Sequence, residues 1–181
     1  MSKVLVVSLC NEKMHDLEFV LPVVDVLKKG DIEFEMKYYK DIINAEKYSH
    51  VIIAGTSLQD DSFIDNIDYF SWLKSYNGKV LGICAGMQVL GLMFGGIINE
   101  GEEIGYYFEE FNLDFFGLNG KQEVYHLHNN CIYNWEDIGF DILCLGKNGI
   151  GQAVKYREKE FYGVLFHPEV RNKNMIEKFV K

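Results

Sequence analysis

Residues 80–90 change their hydrophobic period midway, and this change limits the possible folds more than any other feature of the sequence. Residues 80–83 form a short apolar run, which is typical of a buried strand. The apolar residues after Cys84 recur at helical spacing, so a strand is predicted to turn into a helix at this cysteine. Gly82 and Gly86 flank the turn, where little room is expected for side chains.

A cysteine at such a turn is placed for nucleophilic chemistry. The turn would leave the Cys84 sulfur above the sheet edge and at the N-terminus of the new helix. There the helix dipole and the free backbone N–H groups favour a thiolate or another anion. The alternative is that Cys84 is a small buried hydrophobic residue beside two packing glycines, as most free cysteines are.

A second motif follows an apolar run near the C-terminus. Residues 161–166 lead into His167, Pro168 and Glu169. Pro168 favours an extended backbone at His167, and residues two apart on an extended segment point to the same side. Glu169 is therefore predicted to hold one ring nitrogen of His167, which leaves the other to face a thiol. A lone histidine is more often structural, but this one shares the chain with the cysteine turn.

Together the two motifs resemble those of the class I, or triad, glutamine amidotransferases. Residues 82–88 match the cysteine motif of that family and residues 166–170 match its histidine motif, in the same order, and the likeness covers the whole chain. The resemblance implies a flavodoxin-like α/β fold and a glutaminase that forms a thioester on Cys84. It also implies that His167 transfers protons and that Glu169 orients it.

The resemblance further implies an oxyanion hole and a substrate pocket. The family's oxyanion donors would be the backbone N–H of Ala85 and one N–H from the loop at Gly55. In this chain Thr56 and Ser57 stand where a second glycine and a proline are usual, so Gly55 or Thr56 would have to supply the second donor. The residues expected to line the glutamine pocket are Gln88, Thr56 and His128.

Strand-like and helix-like patterns alternate over the first half of the chain. Strands are predicted at 4–9, 33–38, 51–54 and 80–83, the second of them at a sheet edge, and helices at 17–28 and 63–73. Later the pattern favours short strands at 104–108, 123–126, 131–133, 140–145 and 152–156. Residues 1–181 are expected to form a single α/β domain. It would have a mostly parallel central sheet, helices on both faces and an antiparallel extension.

The composition argues against several classes of protein. The formal net charge of −9 argues against nucleic acid or an anionic membrane surface as a partner. No apolar run approaches the roughly 20 residues that cross a bilayer, and the first residues do not resemble a signal peptide. We therefore expect a cytoplasmic enzyme. Neither a P-loop nor a Rossmann glycine motif occurs, so no cofactor is expected.

The sequence does not predict a metal site. The four cysteines show no C-x-x-C spacing, which argues against a zinc site or a redox pair, and those other than Cys84 are expected to be reduced and structural. His126 and His128 share one face of a predicted strand and could be mistaken for metal ligands. No third ligand has a suitable spacing in the sequence.

These features predict a glutaminase subunit that hydrolyses L-glutamine and passes ammonia to a separate synthase subunit. Residues 94–96 and 152–154 look more like the GMP synthase and anthranilate synthase branches than the imidazole glycerol phosphate synthase branch. Two alternatives stay open. One is a stand-alone hydrolase of γ-glutamyl peptides or conjugates, and the other is a catalytically weak regulatory homologue, which the altered loop at 55–57 makes conceivable.

Overall fold

A computed structural model describes residues 3–181 of the chain. The strands are Val4–Ser8 (β1), Phe34–Tyr38 (β2), His50–Ile53 (β3), Lys79–Ile83 (β4), Ile98–Phe115 (β5), Leu118–Ile132 (β6), Phe140–Leu145 (β7), Gly151–Tyr156 (β8) and Phe161–Val164 (β9). The α-helices are Asp16–Phe19 (α1), Leu21–Lys29 (α2), Ser62–Asp65 (α3), Ala85–Met93 (α4) and Lys173–Phe179 (α5), and the 3-10 helices are Lys13–His15, Tyr39–Asp41 and Ile67–Lys74. Within the described chain, no helix combines the length and the apolar character that crossing a membrane requires.

Seven of the strands form one sheet in the order β2-β1-β3-β4-β9-β8-β7. The strands from β2 to β9 in this order are parallel, while β8 and β7 continue the sheet in antiparallel pairing. The predicted fold class is therefore confirmed, and β2 lies at the sheet edge as its alternating pattern indicates. β5 and β6 pair with each other in a separate antiparallel hairpin.

Helices cover both faces of the sheet. In β1, Leu5 and Val7 belong to one buried cluster, and Val4 and Val6 belong to the other. The first cluster includes residues of α4 and of the 3-10 helix Ile67–Lys74, and the second includes residues of α2 and α5. With both faces buried, the carboxyl ends of the parallel strands remain as the edge where such sheets bind their ligands.

Both helices predicted before residue 80 are interrupted. The first is split into α1 and α2, because Pro22 has no N–H to continue the helical hydrogen-bond pattern. The second is split into α3 and the 3-10 helix that begins at Ile67. At this break the side-chain amide of Asn66 donates to the Ser62 carbonyl oxygen at 2.7 Å and occupies an acceptor of the helix.

The strand character predicted between 104 and 133 is confirmed, but the predicted lengths are wrong, because this region forms the two long strands β5 and β6. A two-residue turn at Phe116 and Gly117 joins them, and both residues have positive φ, at 49° and 88°. Gly105 and Gly120 have φ angles of 113° and 63°, and both are accommodated within the strands. The predicted strands at 140–145 and 152–156 are confirmed as β7 and β8.

Candidate active site

Cys84 lies at a sharp turn between β4 and α4. Its φ and ψ angles are 52° and −106°, a conformation that costs a non-glycine residue about 1–3 kcal/mol. Its N–H donates to the Val164 carbonyl oxygen at 2.7 Å, which fixes the turn to the sheet. A Cβ added to Gly82 would overlap the Gly86 carbonyl oxygen, and one added to Gly86 would overlap that of Ile53. Both glycines are therefore required for the close approach of α4 to the strands.

His167 and Glu169 meet in a turn that follows β9. The strand ends at Val164, and the Val170 N–H donates to the His167 carbonyl oxygen at 3.1 Å, which closes a turn through Pro168. The predicted extended segment is wrong here, because the φ angle of proline also suits the second position of a β-turn. Nδ1 of His167 nevertheless lies 2.7 Å from Oε1 of Glu169.

The imidazole of His167 is almost completely buried, at 1% exposure, and so is the Glu169 carboxylate. Burial acts to lower the pKa of His167, but the negative charges of Glu169 and Cys84 outweigh it, and the pKa is raised well above its ordinary value. Nε2 of His167 has no hydrogen-bond partner among the described residues. This nitrogen is therefore the atom that can exchange a proton with a neighbouring group.

Gly55, which follows the end of β3, lies against both the cysteine and the histidine. A Cβ added to Gly55 would lie 2.8 Å from Cε1 of His167 and 3.6 Å from Cβ of Cys84. Residues from the ends of β3, β4 and β9 thus converge at one edge of the sheet. The topology brings Cys84 and His167 together although they are far apart in the sequence.

Asp60 organises the loop formed by residues 55–62. Its Oδ2 accepts hydrogen bonds from the Thr56 hydroxyl at 3.0 Å and from the Asn11 N–H at 2.7 Å. Its Oδ1 accepts a hydrogen bond from the Ser62 hydroxyl at 2.7 Å. The Thr56 hydroxyl is therefore directed toward Asp60, and this hydrogen bond stabilises the loop.

Several backbone N–H groups around Cys84 are free to bind an anion. Between residues 3 and 181, the N–H groups of Gly55 and Thr56 donate to no protein acceptor. The Ala85 N–H is also free, since Ala85 is the first residue of α4 and has no partner one turn earlier. The predicted oxyanion donors thus lie at the two chain segments that border Cys84.

A narrow cleft, with a cavity volume of about 20 Å³, lies beside Cys84. Thr56, Gln88 and His128, the residues predicted to contact the substrate, all line this cleft. Nε2 of Gln88 donates to the Asn130 carbonyl oxygen at 3.0 Å, which orients the side-chain amide. A wider depression of about 540 Å³ lies across the 55–62 loop but does not include Cys84, so the narrow cleft is the better candidate for substrate binding.

Two backbone carbonyl groups of β6, which sequence reasoning missed, contact the cysteine and the histidine. The His167 N–H donates to the Tyr125 carbonyl oxygen at 2.8 Å, and the Leu127 carbonyl oxygen lies 3.6 Å from Sγ of Cys84. Backbone contacts between distant segments leave no pattern in the sequence. The alternation of side chains in β6 was the one available signal that residues 125 and 127 share an orientation.

The His126 imidazole lies between two carboxylates. Its Nε2 lies 3.3 Å from Oε1 of Glu109, and its Nδ1 lies 3.8 Å from Oε2 of Glu103. Nε2 of His128 lies 3.1 Å from the same oxygen of Glu103. The hairpin thus brings a third potential metal ligand to the two histidines, and the expectation that none would be near them is wrong.

The remaining cysteines, Cys10, Cys131 and Cys144, are buried and free. Burial raises the pKa of Cys10 to about 11 and that of Cys144 to about 12. Burial also raises the pKa of Cys131. These residues are therefore protonated thiols at neutral pH. Cys84 differs from them in its position at the N-terminus of a nine-residue helix.

Comparisons with known proteins show which family the chain resembles. The family model described as "Glutamine amidotransferase class-I" matches residues 15–181. Among curated proteins, a subunit of the glutamine-hydrolyzing GMP synthase of Pyrococcus furiosus is 32% identical over 136 residues, which cover 72% of this chain and 71% of the relative. The protein of the same name from Methanobrevibacter smithii is 32% identical over 106 residues, which cover 56% of this chain and 55% of the relative. The matched stretch is thus about half of that second relative.

Solved structures share the fold. A Thermoplasma acidophilum protein provisionally named as a GMP synthase subunit superposes with a TM-score of 0.85 over 99% of this chain and 92% of its own, at 20% identity. A glutamine amidotransferase from Thermotoga maritima superposes with a TM-score of 0.70 over 99% of this chain and 80% of its own, also at 20% identity. At this identity the likeness describes the fold alone.

Proposed function

The chain belongs to the class-I glutamine amidotransferase family, and we propose on this basis that it hydrolyses L-glutamine to L-glutamate and ammonia. The proposal treats residues 1–181 as one glutaminase domain. Its main support is the convergence of a strained cysteine at a helix N-terminus with a histidine whose Nδ1 lies 2.7 Å from a buried carboxylate oxygen. In this proposal Cys84 is the nucleophile, His167 transfers protons and Glu169 orients the imidazole.

The first half of the reaction forms a thioester. The Cys84 thiolate attacks the side-chain amide carbon of glutamine, and the carbonyl electron pair moves onto oxygen. His167, protonated because its pKa is raised, gives its Nε2 proton to the amide nitrogen. The C–N bond then breaks, ammonia leaves, and a γ-glutamyl thioester remains on Cys84.

The second half consumes water. His167 takes a proton from water through Nε2, and the resulting hydroxide attacks the thioester carbon. The C–S bond breaks, glutamate is released, and Cys84 leaves as the thiolate. Glu169 remains hydrogen-bonded to Nδ1 throughout, so proton transfer is confined to Nε2.

The oxyanion of each tetrahedral intermediate would be held by backbone N–H groups. The donors are those of Ala85 and of Gly55 or Thr56, because they border Cys84 and have no other protein acceptor among residues 3–181. Removing one such donor typically costs about 3–4 kcal/mol of transition-state stabilisation. Asp60 contributes indirectly, since it fixes the loop that carries two of these groups.

The glutamine would lie in the cleft beside Cys84. Gln88 presents its Oε1 there, since its Nε2 is engaged by the Asn130 carbonyl oxygen. Thr56 and His128 form other parts of the wall, and these three residues are the proposed substrate contacts.

Ammonia is proposed to pass to a separate synthase protein, since the relatives are named as one subunit of GMP synthase. Ammonia released into neutral water becomes mostly protonated and loses its nucleophilicity, so a direct path to the acceptor is needed. The outer face of β5 offers a docking surface. Ile104, Tyr106 and Phe108 alternate along the strand and are 49%, 61% and 56% exposed. Ile104 pairs with Leu127, which lines the cleft.

The test measures glutamate release by the purified chain, on its own and with the ATP-pyrophosphatase subunit of GMP synthase and its nucleotide. We expect turnover that Cys84→Ala abolishes and Cys144→Ala, which removes another buried thiol, leaves intact. Stimulation by the synthase subunit should be weakened by Tyr106→Lys. It should survive Ile43→Lys, which changes another exposed apolar residue.

Each alternative result has a definite meaning. Glutamate release by the Cys84→Ala protein at the wild-type rate would contradict the nucleophile assignment. Full activity alone, without stimulation by any co-purifying synthase, would contradict the partner and favour an independent hydrolase. If Cys84 is not alkylated by a glutamine-analogue diazo ketone, the site is not a glutamine site.

A further inference from the structure

Five polar side chains are buried together where the β5–β6 hairpin meets the sheet. Glu103 and Glu109 come from β5, His126 and His128 from β6, and Gln152 from β8. None of them is more than 5% exposed. Apart from the substrate contact proposed for His128, the glutaminase reaction requires none of these side chains. Buried carboxylates are costly unless positive charge compensates them.

We propose that Glu103, His126 and His128 bind one divalent transition-metal ion of the zinc type. Oε2 of Glu103 lies 3.1 Å from Nε2 of His128 and 3.8 Å from Nδ1 of His126. All three donor atoms lie within 4.8 Å of one another. A tetrahedral zinc ion with bonds of about 2.1 Å separates its ligands by about 3.4 Å, so the 3.1 Å and 3.8 Å distances bracket the required spacing.

The negative groups around His126 favour the binding of a cation. Carboxylates face both of its ring nitrogens, with Glu109 at 3.3 Å from Nε2 and Glu103 at 3.8 Å from Nδ1. A neutral imidazole carries one N–H, so in either tautomer one nitrogen lone pair points at a carboxylate oxygen. Nδ1 of His126 has no hydrogen-bond partner in the described chain. A metal ion on Nδ1, with Nε2–H donating to Glu109, satisfies every one of these groups.

Charge and chemistry select the kind of ion. Two carboxylates and two neutral imidazoles leave a buried charge of −2, which a divalent cation neutralises. Two nitrogen donors and one oxygen donor form the set that zinc uses in sites with three protein ligands. The cavity lined by Glu103, Glu109 and Lys147 gives the ion an entry path from solvent. Gln152, whose Nε2 donates to Oε2 of Glu103 at 2.6 Å, holds that carboxylate in place.

The proposed ion would also steady the glutaminase site. His126 and His128 alternate along β6 with Tyr125 and Leu127, whose carbonyl oxygens contact the His167 N–H and the Cys84 sulfur. Fixing the two histidines fixes the segment that carries these carbonyl groups. The metal ion is therefore expected to position the strand, and with it the His128 side chain that lines the cleft.

The test uses the untagged, folded chain after removal of metals with a chelator. Titration with Zn²⁺ should show one ion bound per chain, and Co²⁺ should give the intense visible absorption of a tetrahedral site. His126→Ala should weaken binding about 100-fold or more, and Glu109→Gln about 10–100-fold. His50→Ala, which removes a buried histidine from β3, should leave binding unchanged.

The controls address the two rival explanations. Zinc held by the active-site thiol would persist in His126→Ala and disappear in Cys84→Ala. Zinc held by the proposed site would disappear in His126→Ala and persist in Cys84→Ala. Doubly protonated histidines in place of a metal would leave the folded wild-type chain without stoichiometric zinc, which would overturn the proposal. If His126→Ala does not fold, Glu103→Gln replaces it as the ligand variant, and unchanged zinc affinity in that variant would equally overturn the proposal.

Discussion

Replacing Gly55 by alanine should disturb the proposed proton transfer through one close contact. The new Cβ would lie 2.8 Å from Cε1 of His167, whereas ordinary contacts begin at 3.4 Å, so the ring has to move by about 0.6 Å. The ring is held by its 2.7 Å hydrogen bond to Glu169 and cannot move without distorting that bond. The φ angle of Gly55 is outside the left-handed region, so the substitution introduces no backbone strain of that kind.

The expected loss of activity follows from the displacement of the His167 ring. A misplacement of about 1 Å can cost about 100-fold in rate, so about 0.6 Å should lower kcat/KM about 10- to 100-fold. This equals about 1.4–2.7 kcal/mol of lost transition-state stabilisation. Overpacking should also lower the free energy of unfolding by about 1–3 kcal/mol.

Two assays measure the effect of Gly55→Ala. Glutamate release gives kcat/KM, and alkylation of Cys84 by a glutamine-analogue diazo ketone, followed by mass spectrometry, reports on the nucleophile without a partner protein. Gly30→Ala is the matched control. It adds the same methyl group far from the site, where the nearest atom is the end of the Ile32 side chain at 3.1 Å. A folded Gly55→Ala protein with wild-type kcat/KM and wild-type alkylation would refute the argued contact between this loop and His167.

Three further predictions concern the proposed triad. Both Cys84→Ala and Cys84→Gly should be inactive. In urea unfolding the glycine variant should be more stable than the alanine variant by about 1–2 kcal/mol, because φ is 52° at this position. Equal stabilities would show that the turn is not strained. Glu169→Gln should lower kcat/KM by about 100-fold and His167→Asn by about 1,000-fold or more, since orienting the imidazole is a smaller effect than proton transfer. Equal losses of kcat/KM would contradict these roles. The pKa of His167 is raised in the folded state, so the native protein binds more protons than the unfolded chain above pH 6.5. The stabilisation from its charged form is complete below that pH and is lost as the pH rises through the raised pKa, and His167→Asn should remove this dependence.

Local patterns predicted the elements that position the site. The period change at Cys84 located the turn between β4 and α4, since strand and helix periods are properties of neighbouring residues. Hydrophobic runs likewise predicted β1, β3 and the parallel character of the sheet. The same reasoning failed in β5 and β6, where it predicted several short strands in place of two long ones.

The sequence alone determined that Cys84 follows a strand and opens a helix, and that Glu169 can reach His167, because these relations span one to three residues. Only the tertiary structure decided what lies beside them. The distance from Gly55 to both residues depends on the order of β3, β4 and β9 in the sheet. The meeting of Glu103 with the histidines of β6 depends on the register of the hairpin. Such contacts join residues far apart in the chain, and strand order and register are set by the packing of the whole core, which no short stretch of sequence encodes.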